Sequence, residues 1–327
     1  MPTVTVSRSV FPASAAGART RPTESIFSIE VKDSYHILRL GARPPRSAWD
    51  PSPALLEPNF LRLLDLFSER NVYVTCFFLG SIAVRFPHLV KEAAHRGHEI
   101  ASHGYRHRLF TEMTQSEFLE DALRSRSVLE DLAGGAVRGY RAADFFSIQH
   151  APWFFEKLRE ASYEYDSSEF PAVREHGRIT PTLRGPHRVV CGSGVLAEFP
   201  ITVATLCRTP ICFSGGEHLQ FLPTWLILRM ARTITADGRP VIYHIHPRQL
   251  GLSQPRLPIH RRGKYDVALS ATERKIARIT GKFPFITLGQ FFDRYRDLLP
   301  YRYVRQSNKR PSSLLRLPQP QQSCEVA

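Results

Sequence analysis

A chain of 327 residues with 43% hydrophobic and 23% charged side chains can bury a large core, which indicates a globular protein of one large α/β domain or two ordinary ones. Its net charge of +14 would favour anionic partners, but the basic residues are spread out. No helix carries a basic stripe and no aromatic–basic stacking platform is evident, so nucleic-acid binding is not expected. No apolar run is long enough to span a membrane.

The N-terminal segment and the cysteines indicate the cellular compartment of the protein. Residues 1–22 are rich in Pro, Ala, Ser, Thr and Arg and are predicted to form a disordered leader, although a transit segment would have a similar composition. They contain no apolar core of signal-peptide length, so secretion is not indicated. Five cysteines without C-x-x-C spacing are typical of reduced thiols. We therefore predict a cytoplasmic protein whose basic surface permits peripheral contact with the inner membrane.

The first hundred residues after the leader alternate between strand and helix patterns. An apolar run over 25–31 predicts a buried strand that continues directly into Lys32 and Asp33. Helical spacing of apolar residues over 58–70 and 82–96 predicts two amphipathic helices. Strands are predicted over 72–79 and 98–102. This β-α-β-α-β order argues for parallel strands joined by crossover helices.

The remainder continues the alternation. A capping box at 114–117 predicts a helix to about Leu132, followed by a strand over 137–141, a helix over 153–160 and a strand over 163–166. Residues 171–215 are predicted to form loops or a small hairpin. The last elements are a helix over 221–235, a strand over 240–247, a helix over 272–280, a strand over 285–287 and a helix over 288–299. From about Tyr301 the sequence is basic and then Pro/Gln-rich, which predicts a disordered tail.

Two histidines four residues apart, His103 and His107, straddle Gly104 at the end of a predicted strand. Glycine lets the backbone turn there, so the two imidazoles can converge on one metal ion. A catalytic zinc takes three protein ligands and keeps one position open, which leaves a third ligand to be found. The alternative is chance, because a chain with 13 His will contain some pairs at this spacing.

Polar side chains follow four predicted strands, at Glu30 to Asp33, His103 with His107, Arg141, and His246. Strand ends form the rim of the site in α/β folds, so these residues are candidates for chemistry. Each has a structural alternative: an ordinary polar strand exit at 30–33, a surface ion pair for Arg141, and a hydrogen-bonded core position for His246. His98 and His244 are interpreted as structural.

The sequence resembles the NodB-homology polysaccharide deacetylases of carbohydrate esterase family 4, in particular the branch associated with exopolysaccharide and exosortase gene clusters. The matching stretches are Gly97–His107, Arg138–Ala142, Tyr165–Pro171, Glu198–Pro200 and Ile245–Pro247. The resemblance covers about residues 25 to 298. It implies a distorted (β/α) barrel over residues 23–300, flanked by the leader at 1–22 and the tail at 301–327.

The resemblance also implies the activity and the roles in the site. The expected reaction is hydrolysis of N-acetyl groups from N-acetylhexosamine units of a glycan, with one divalent metal, zinc first and cobalt, nickel or iron as alternatives. By family role, Asp33, His103 and His107 would be the metal ligands. Glu30 would be the general base and Arg141 would orient it. His246 would be the general acid, with a backbone N–H such as that of Tyr105 contributing to oxyanion stabilisation.

A further acid, Asp166, has two interpretations. In the family context it is a candidate to orient and polarise the His246 ring. The other interpretation is that it caps a turn with Ser167 and Ser168.

The resemblance is broken at the end of the first strand. The family branch has Asp-Val-Glu-Asp where this chain has Glu30-Val31-Lys32-Asp33. Lys32 places a cation where an acid is expected, and Glu30 and Lys32 share one strand face and are predicted to form a salt bridge. The alternative function is therefore a catalytically weakened or inactive glycan-binding protein. Oligomeric state is not predicted.

Overall fold

The structure is a computed structural model, and it describes residues 22–32, 56–143, 153–171, 174–175, 178–179, 183–192, 194–206, 209–250 and 271–303. Asp33, residues 1–21 of the predicted leader and the predicted tail beyond 303 lie outside these residues. No described helix has both the length and the apolar character needed to cross a membrane.

Nine strands form the main sheet, in the spatial order β12-β1-β2-β3-β4-β5-β9-β8-β13. All neighbouring strands are parallel except β8 and β9, which form an antiparallel hairpin. The strands are β1 (Ile26–Val31), β2 (Thr75–Phe78), β3 (Glu99–Ser102), β4 (Gly139–Tyr140), β5 (Tyr165–Asp166), β8 (His187–Cys191), β9 (Gly194–Glu198), β12 (Ile242–Ile245) and β13 (Tyr301–Tyr303). Two small hairpins lie outside the sheet, formed by β6 (Arg174–Glu175) with β7 (Arg178–Ile179) and by β10 (Ala204–Leu206) with β11 (Thr209–Ile211).

The connections between the parallel strands are mostly helical, as parallel pairing requires. The helices are α1 (Leu56–Ser68), α2 (Gly80–Arg85), α3 (Pro87–His95), α4 (Gln115–Ala133), α5 (Phe154–Glu160), α6 (Gly216–Phe221), α7 (Thr224–Ala236), α8 (271–280) and α9 (Leu288–Tyr295). The largely parallel α/β architecture predicted from the strand–helix alternation is confirmed.

Burial on both faces explains why the strands are continuous runs of apolar residues in the sequence. Every residue of β1 and β2 is buried, because helices including α1 and α3 cover one face and α9 packs on the other. The helices bury one stripe each; α1 buries Phe60, Leu63, Leu64 and Phe67, as its spacing predicted. The capping box of α4 is formed by Thr114 and Glu117, and the helix ends at Gly134 in the left-handed conformation.

Several predicted elements differ from the structure. The helix predicted over 82–96 is two helices, because Pro87 cannot continue α2 and instead begins α3. Within 171–215, predicted as loops or a small hairpin, β8 and β9 join the main sheet. The strand predicted over 285–287 is a single bridge between Phe285 and Ser25. The first three residues of the predicted tail form β13, paired with β8.

Candidate functional site

The carboxyl ends of seven neighbouring strands of the described sheet, from β12 to β9, meet at one edge, because these strands are parallel to one another. Polar side chains at this edge come from β1, β3, β4 and β12, as the sequence predicted. Five of the predicted site residues lie around one point: Glu30, His103, His107, Arg141 and His246. All five are buried or nearly so.

Lys32, which follows β1, occupies that point. Its Nζ lies 2.8 Å from Glu30 Oε2, 3.3 Å from His103 Nε2 and 3.2 Å from His107 Nε2. The side chain is only 11% exposed. The salt bridge predicted between Glu30 and Lys32 is therefore confirmed. An ammonium group has three hydrogens, and the three partners account for all of them.

The ring of His103 is oriented by the backbone of Arg141. His103 Nδ1 lies 2.8 Å from the carbonyl oxygen of Arg141, and a carbonyl only accepts, so Nδ1 carries the proton and donates it. Nε2 then presents a lone pair to Lys32. Burial, followed by the charge of Lys32, lowers the pKa of His103 to about 3, so its ring is neutral at pH 7.

The loop that carries the second histidine is held by an acid on α4. Asp121 Oδ2 accepts from the N–H of Tyr105 at 2.7 Å, and Oδ1 accepts from that of Arg106 at 3.3 Å. His107 then adopts a left-handed backbone (φ 51°), and its ring centroid lies 5.2 Å from that of His103. The Tyr105 N–H, expected to contribute to an oxyanion site, is already donated to Asp121, so that expectation is corrected.

Arg141 is completely buried and ties three strands together. Nη1 donates to Ser28 Oγ of β1 at 2.8 Å and lies 3.4 Å from Glu30 Oε1. Nε and Nη2 donate to the carbonyl and the hydroxyl of Ser167, just beyond β5. The guanidinium also lies 4.1 Å from the centroid of the Phe77 ring. Arg141 is thus a buried cation held next to Glu30, and not a surface ion pair.

The environment of Glu30 is strongly cationic. Burial alone would raise the pKa of its carboxyl, but the charges of Lys32 and Arg141 hold that pKa well below its ordinary value. A carboxylate held this way stays ionised but is a weak proton acceptor, because a general base works best with a pKa near the operating pH.

His246 lies directly after β12 and completes the cluster. Its Nδ1 is 3.5 Å from Glu30 Oε2, and burial lowers the pKa of this ring well below its usual range. A neutral imidazole is a poor proton donor, so this state of His246 does not suit a general acid.

Two other histidines have structural positions. The ring of His244, interpreted as structural, packs against Gly215, where any larger residue would place its Cβ about 2.0 Å from a ring carbon. His98 is buried in the same structural manner, and its Nδ1 accepts from the N–H of Val74.

Asp166 engages a different set of partners. Its carboxylate accepts from the hydroxyl of Ser168 at 2.6 Å and from the Ser168 N–H at 3.1 Å, which is the turn-capping alternative. It also hydrogen-bonds to the carboxyl of Glu198, and burial raises the pKa of Asp166 to about 6 and that of Glu198 well above its usual value. The carboxylate facing His246 Nδ1 is that of Glu30. The role of Asp166 in orienting His246 therefore stays a prediction without support from these contacts.

Sequence reasoning missed the residues that hold the site in place. Ser28 and Asp121 are polar residues inside a strand and a helix, and nothing in their local sequence distinguishes them. Ser167 and Glu198 lie in stretches that match the family, but their contacts with Arg141 and Asp166 were not predicted.

The described residues do not fit a divalent metal. Zinc binds imidazole nitrogens at about 2.0–2.1 Å, but the point where the two Nε2 lone pairs converge is taken by an ammonium ion. Nowhere in the described ranges do three or more His, Cys, Asp or Glu side chains come together to hold a metal. Asp33, the predicted third ligand, lies outside them, so its role stays a prediction.

Comparison with known proteins agrees with the architecture. Residues 47–144 match the family model described as polysaccharide deacetylase, and residues 167–293 match a domain of unknown function, DUF3473. The fold is similar to that of two solved structures assigned as polysaccharide deacetylases. One is from Mycobacterium smegmatis (TM-score 0.60, 22% identity, covering 91% of this chain and 99% of the other) and one from Pseudomonas aeruginosa (0.56, 18%, 84% and 91%).

The match over residues 47–144 is to the NodB-homology polysaccharide deacetylases of carbohydrate esterase family 4, the family that the sequence resembles. The match of residues 167–293 to DUF3473 agrees with the resemblance to the exopolysaccharide-associated branch of that family. Among relatives, the chain is similar to a peptidoglycan-N-acetylglucosamine deacetylase of Bacillus cereus (34% identity, 24% of this chain) and a peptidoglycan deacetylase of Helicobacter pylori (32% identity, 33% of this chain). The matches span only 29% and 36% of the length of these two relatives.

Proposed function

We propose that the site at the carboxyl ends of the strands binds N-acetylhexosamine units of a glycan, and that it does so without metal-dependent hydrolysis. The substrate class rests on the match to the deacetylase family and on similarity to relatives named for N-acetylglucosamine. The absence of metal chemistry rests on one observation, the position of Lys32 Nζ between Glu30, His103 and His107.

Three physical arguments support the second part. A divalent cation and the Lys32 ammonium would compete for the same two lone pairs, and their charges repel each other. All three ammonium hydrogens have protein partners, so Lys32 has no donor left to polarise the carbonyl of an acetamide. The carboxylate in the general-base position is paired with Lys32 and lies beside Arg141, which makes it a weak base.

Metal-dependent deacetylation is the second candidate function. It is favoured by the orientation of the His103 ring, whose Nε2 lone pair points toward the same position as Nε2 of His107. This function requires Lys32 to leave that position and a carboxylate such as that of Asp33 to supply a third ligand.

One experiment separates the two functions. The purified full chain, stripped with a chelator, is titrated calorimetrically with N-acetylglucosamine tetramer, then incubated with Zn²⁺ or Co²⁺ and the tetramer while acetate release is measured. We expect saturable binding that the chelator does not change, and no acetate. The double variant Lys32→Glu/Glu30→Asp restores the family's acids and is expected to bind one equivalent of Zn²⁺, with His103→Ala in that background as the control that loses it.

Two results would overturn the proposal. Absence of tetramer binding would remove the glycan-recognition part. Acetate release by the wild-type chain that depends on added metal and is lost in His103→Ala would establish the second candidate instead.

A further inference from the structure

The helix α7 carries an exposed surface that the proposed glycan site does not use. Trp225 is 66% exposed, and Phe221, at the end of α6, is 52% exposed. Arg229 and Arg232 are also exposed. Residues at i, i+4 and i+7 lie on one side of a helix, so Trp225, Arg229 and Arg232 form a line about 10 Å long. We call Phe221 and these three residues the α7 outer face.

The buried residues on the opposite side of α7 show that the α7 outer face points away from the core. Ile227, Met230, Ala231 and Ile234 are buried in the main core. The outer face is therefore turned fully away from the sheet. A large aromatic residue this exposed is uncommon on a monomeric surface, and two of them in adjacent helices indicate a contact surface.

Charge restricts the partner that this surface fits. The sequence from 218 to 236 contains no acidic residue. No hydrogen bond or ion pair joins the guanidinium of Arg229 or Arg232 to another described residue. A neutral N-acetylated sugar could stack on Trp225 but would gain little from two unpaired cations. An anionic surface with an apolar layer beneath it uses both features, because Trp rings lie at the headgroup level of bilayers and arginines pair with lipid phosphates.

We propose that the α7 outer face docks on the surface of a bilayer containing anionic phospholipid. The Trp225 and Phe221 rings enter the headgroup region, and Arg229 and Arg232 contact phosphate groups. The contact is peripheral and electrostatic in part, so it weakens as salt rises. It does not depend on whether the strand-end site binds glycan.

The test is co-sedimentation of the full chain with vesicles of phosphatidylcholine containing 30% phosphatidylglycerol, and with pure phosphatidylcholine. We expect binding to the anionic vesicles that falls at least about tenfold in Arg229→Glu/Arg232→Glu and in Phe221→Ser/Trp225→Ser. Circular dichroism checks that each variant is folded. In wild type, the tryptophan emission is expected to shift to shorter wavelength on binding, and Trp225→Phe is expected to keep most of the binding but lose this shift.

Matched controls separate this face from overall charge. Arg85 and Lys91 are exposed on α2 and α3, so Arg85→Glu/Lys91→Glu makes the same change in net charge on other helices. Tyr303, 53% exposed on β13, gives the aromatic control Tyr303→Ser. Both control variants are expected to bind like wild type.

Four results would overturn the proposal. These are no binding to anionic vesicles, an equal loss in the matched charge control, a Trp225-dependent binding of N-acetylglucosamine tetramer, and a Trp225-dependent dimer in solution. The last two would assign the face to a glycan or to a second copy of the chain.

Discussion

Removal of the Lys32 ammonium should destabilise the protein strongly, and Lys32→Met is the variant that tests it. Glu30 is 3% exposed, and the substitution leaves its carboxylate buried without the partner at 2.8 Å. Breaking a buried ion pair by deleting one partner costs about 3–5 kcal/mol. We expect the lower end of that range, about 3 kcal/mol, because Arg141 Nη1 remains 3.4 Å from the other carboxylate oxygen.

A double-mutant cycle assigns this loss to the pair. The free energy of unfolding is measured in urea for wild type, Lys32→Met, Glu30→Gln and the double variant. Removing both charges is often close to neutral, so the double variant should recover most of the loss, with a coupling energy of about 2 kcal/mol or more. Lys157→Met is the control, because Lys157 forms an exposed pair with Glu160 worth less than about 1 kcal/mol.

The same pair should determine acid stability. The pKa of Glu30 is lowered in the folded state, so its contribution is present above the ordinary value of 4.5 and is lost as the pH falls through the folded value. Lys32→Met should therefore unfold at higher pH than wild type. Equal urea midpoints for Lys32→Met and wild type, with no coupling to Glu30→Gln, would refute the placement of Lys32 in the site and the function proposed from it.

Further predictions concern the residues around this cluster. Arg141→Met should lower the free energy of unfolding, measured in urea, by about 3–5 kcal/mol, because it removes four hydrogen bonds and leaves Lys32 as the one cation beside Glu30 among the described residues. A loss below about 1 kcal/mol would contradict the buried position of Arg141. Gly104→Ala should cost more than about 1 kcal/mol, because φ is +76° and the new Cβ would lie 3.0 Å from Asp121 Oδ2; an unchanged thermal midpoint would argue against this loop geometry. Burial raises the pKa of Asp166 to about 6 and that of Glu198 well above its ordinary value, so wild-type stability should fall as pH rises from about 4 through 6. The fall should be smaller in Glu198→Gln, which removes one of the two buried carboxyls that lose a proton in the folded state; identical pH profiles in urea would exclude the paired acids as its cause.

Hydrophobic periodicity predicted the strands and helices that lie in the interior. A fully buried strand is a continuous run of apolar residues, and a helix that buries one stripe has apolar residues at helical spacing. Periodicity failed where a single residue decides the geometry. Pro87 divides one apparent helical period into two helices, and the short apolar stretch at 196–199 joins the main sheet through pairing with β5, a contact that local order does not encode.

The candidate site was predictable to the extent that it depends on strand period and on strand ends. Glu30 and Lys32 lie two residues apart on one strand face, and this alone predicted their pairing. The partners of Arg141 were not predictable in the same way, because Ser28 is 113 residues away in sequence and approaches only through the order of strands in the sheet.

The three-strand attachment of Arg141 also has a consequence for how the molecule folds. Its guanidinium reaches Ser28 and Ser167, which precede and follow it by 113 and 26 residues. Closing such distant segments is entropically costly, and contacts of this range are made late in folding. The strand-end site should therefore form only when the chain collapses as a whole. A fragment ending near residue 144 would keep Ser28 and Glu30 but lack Ser167, so Nε and Nη2 of Arg141 would lose the carbonyl and the hydroxyl to which they donate.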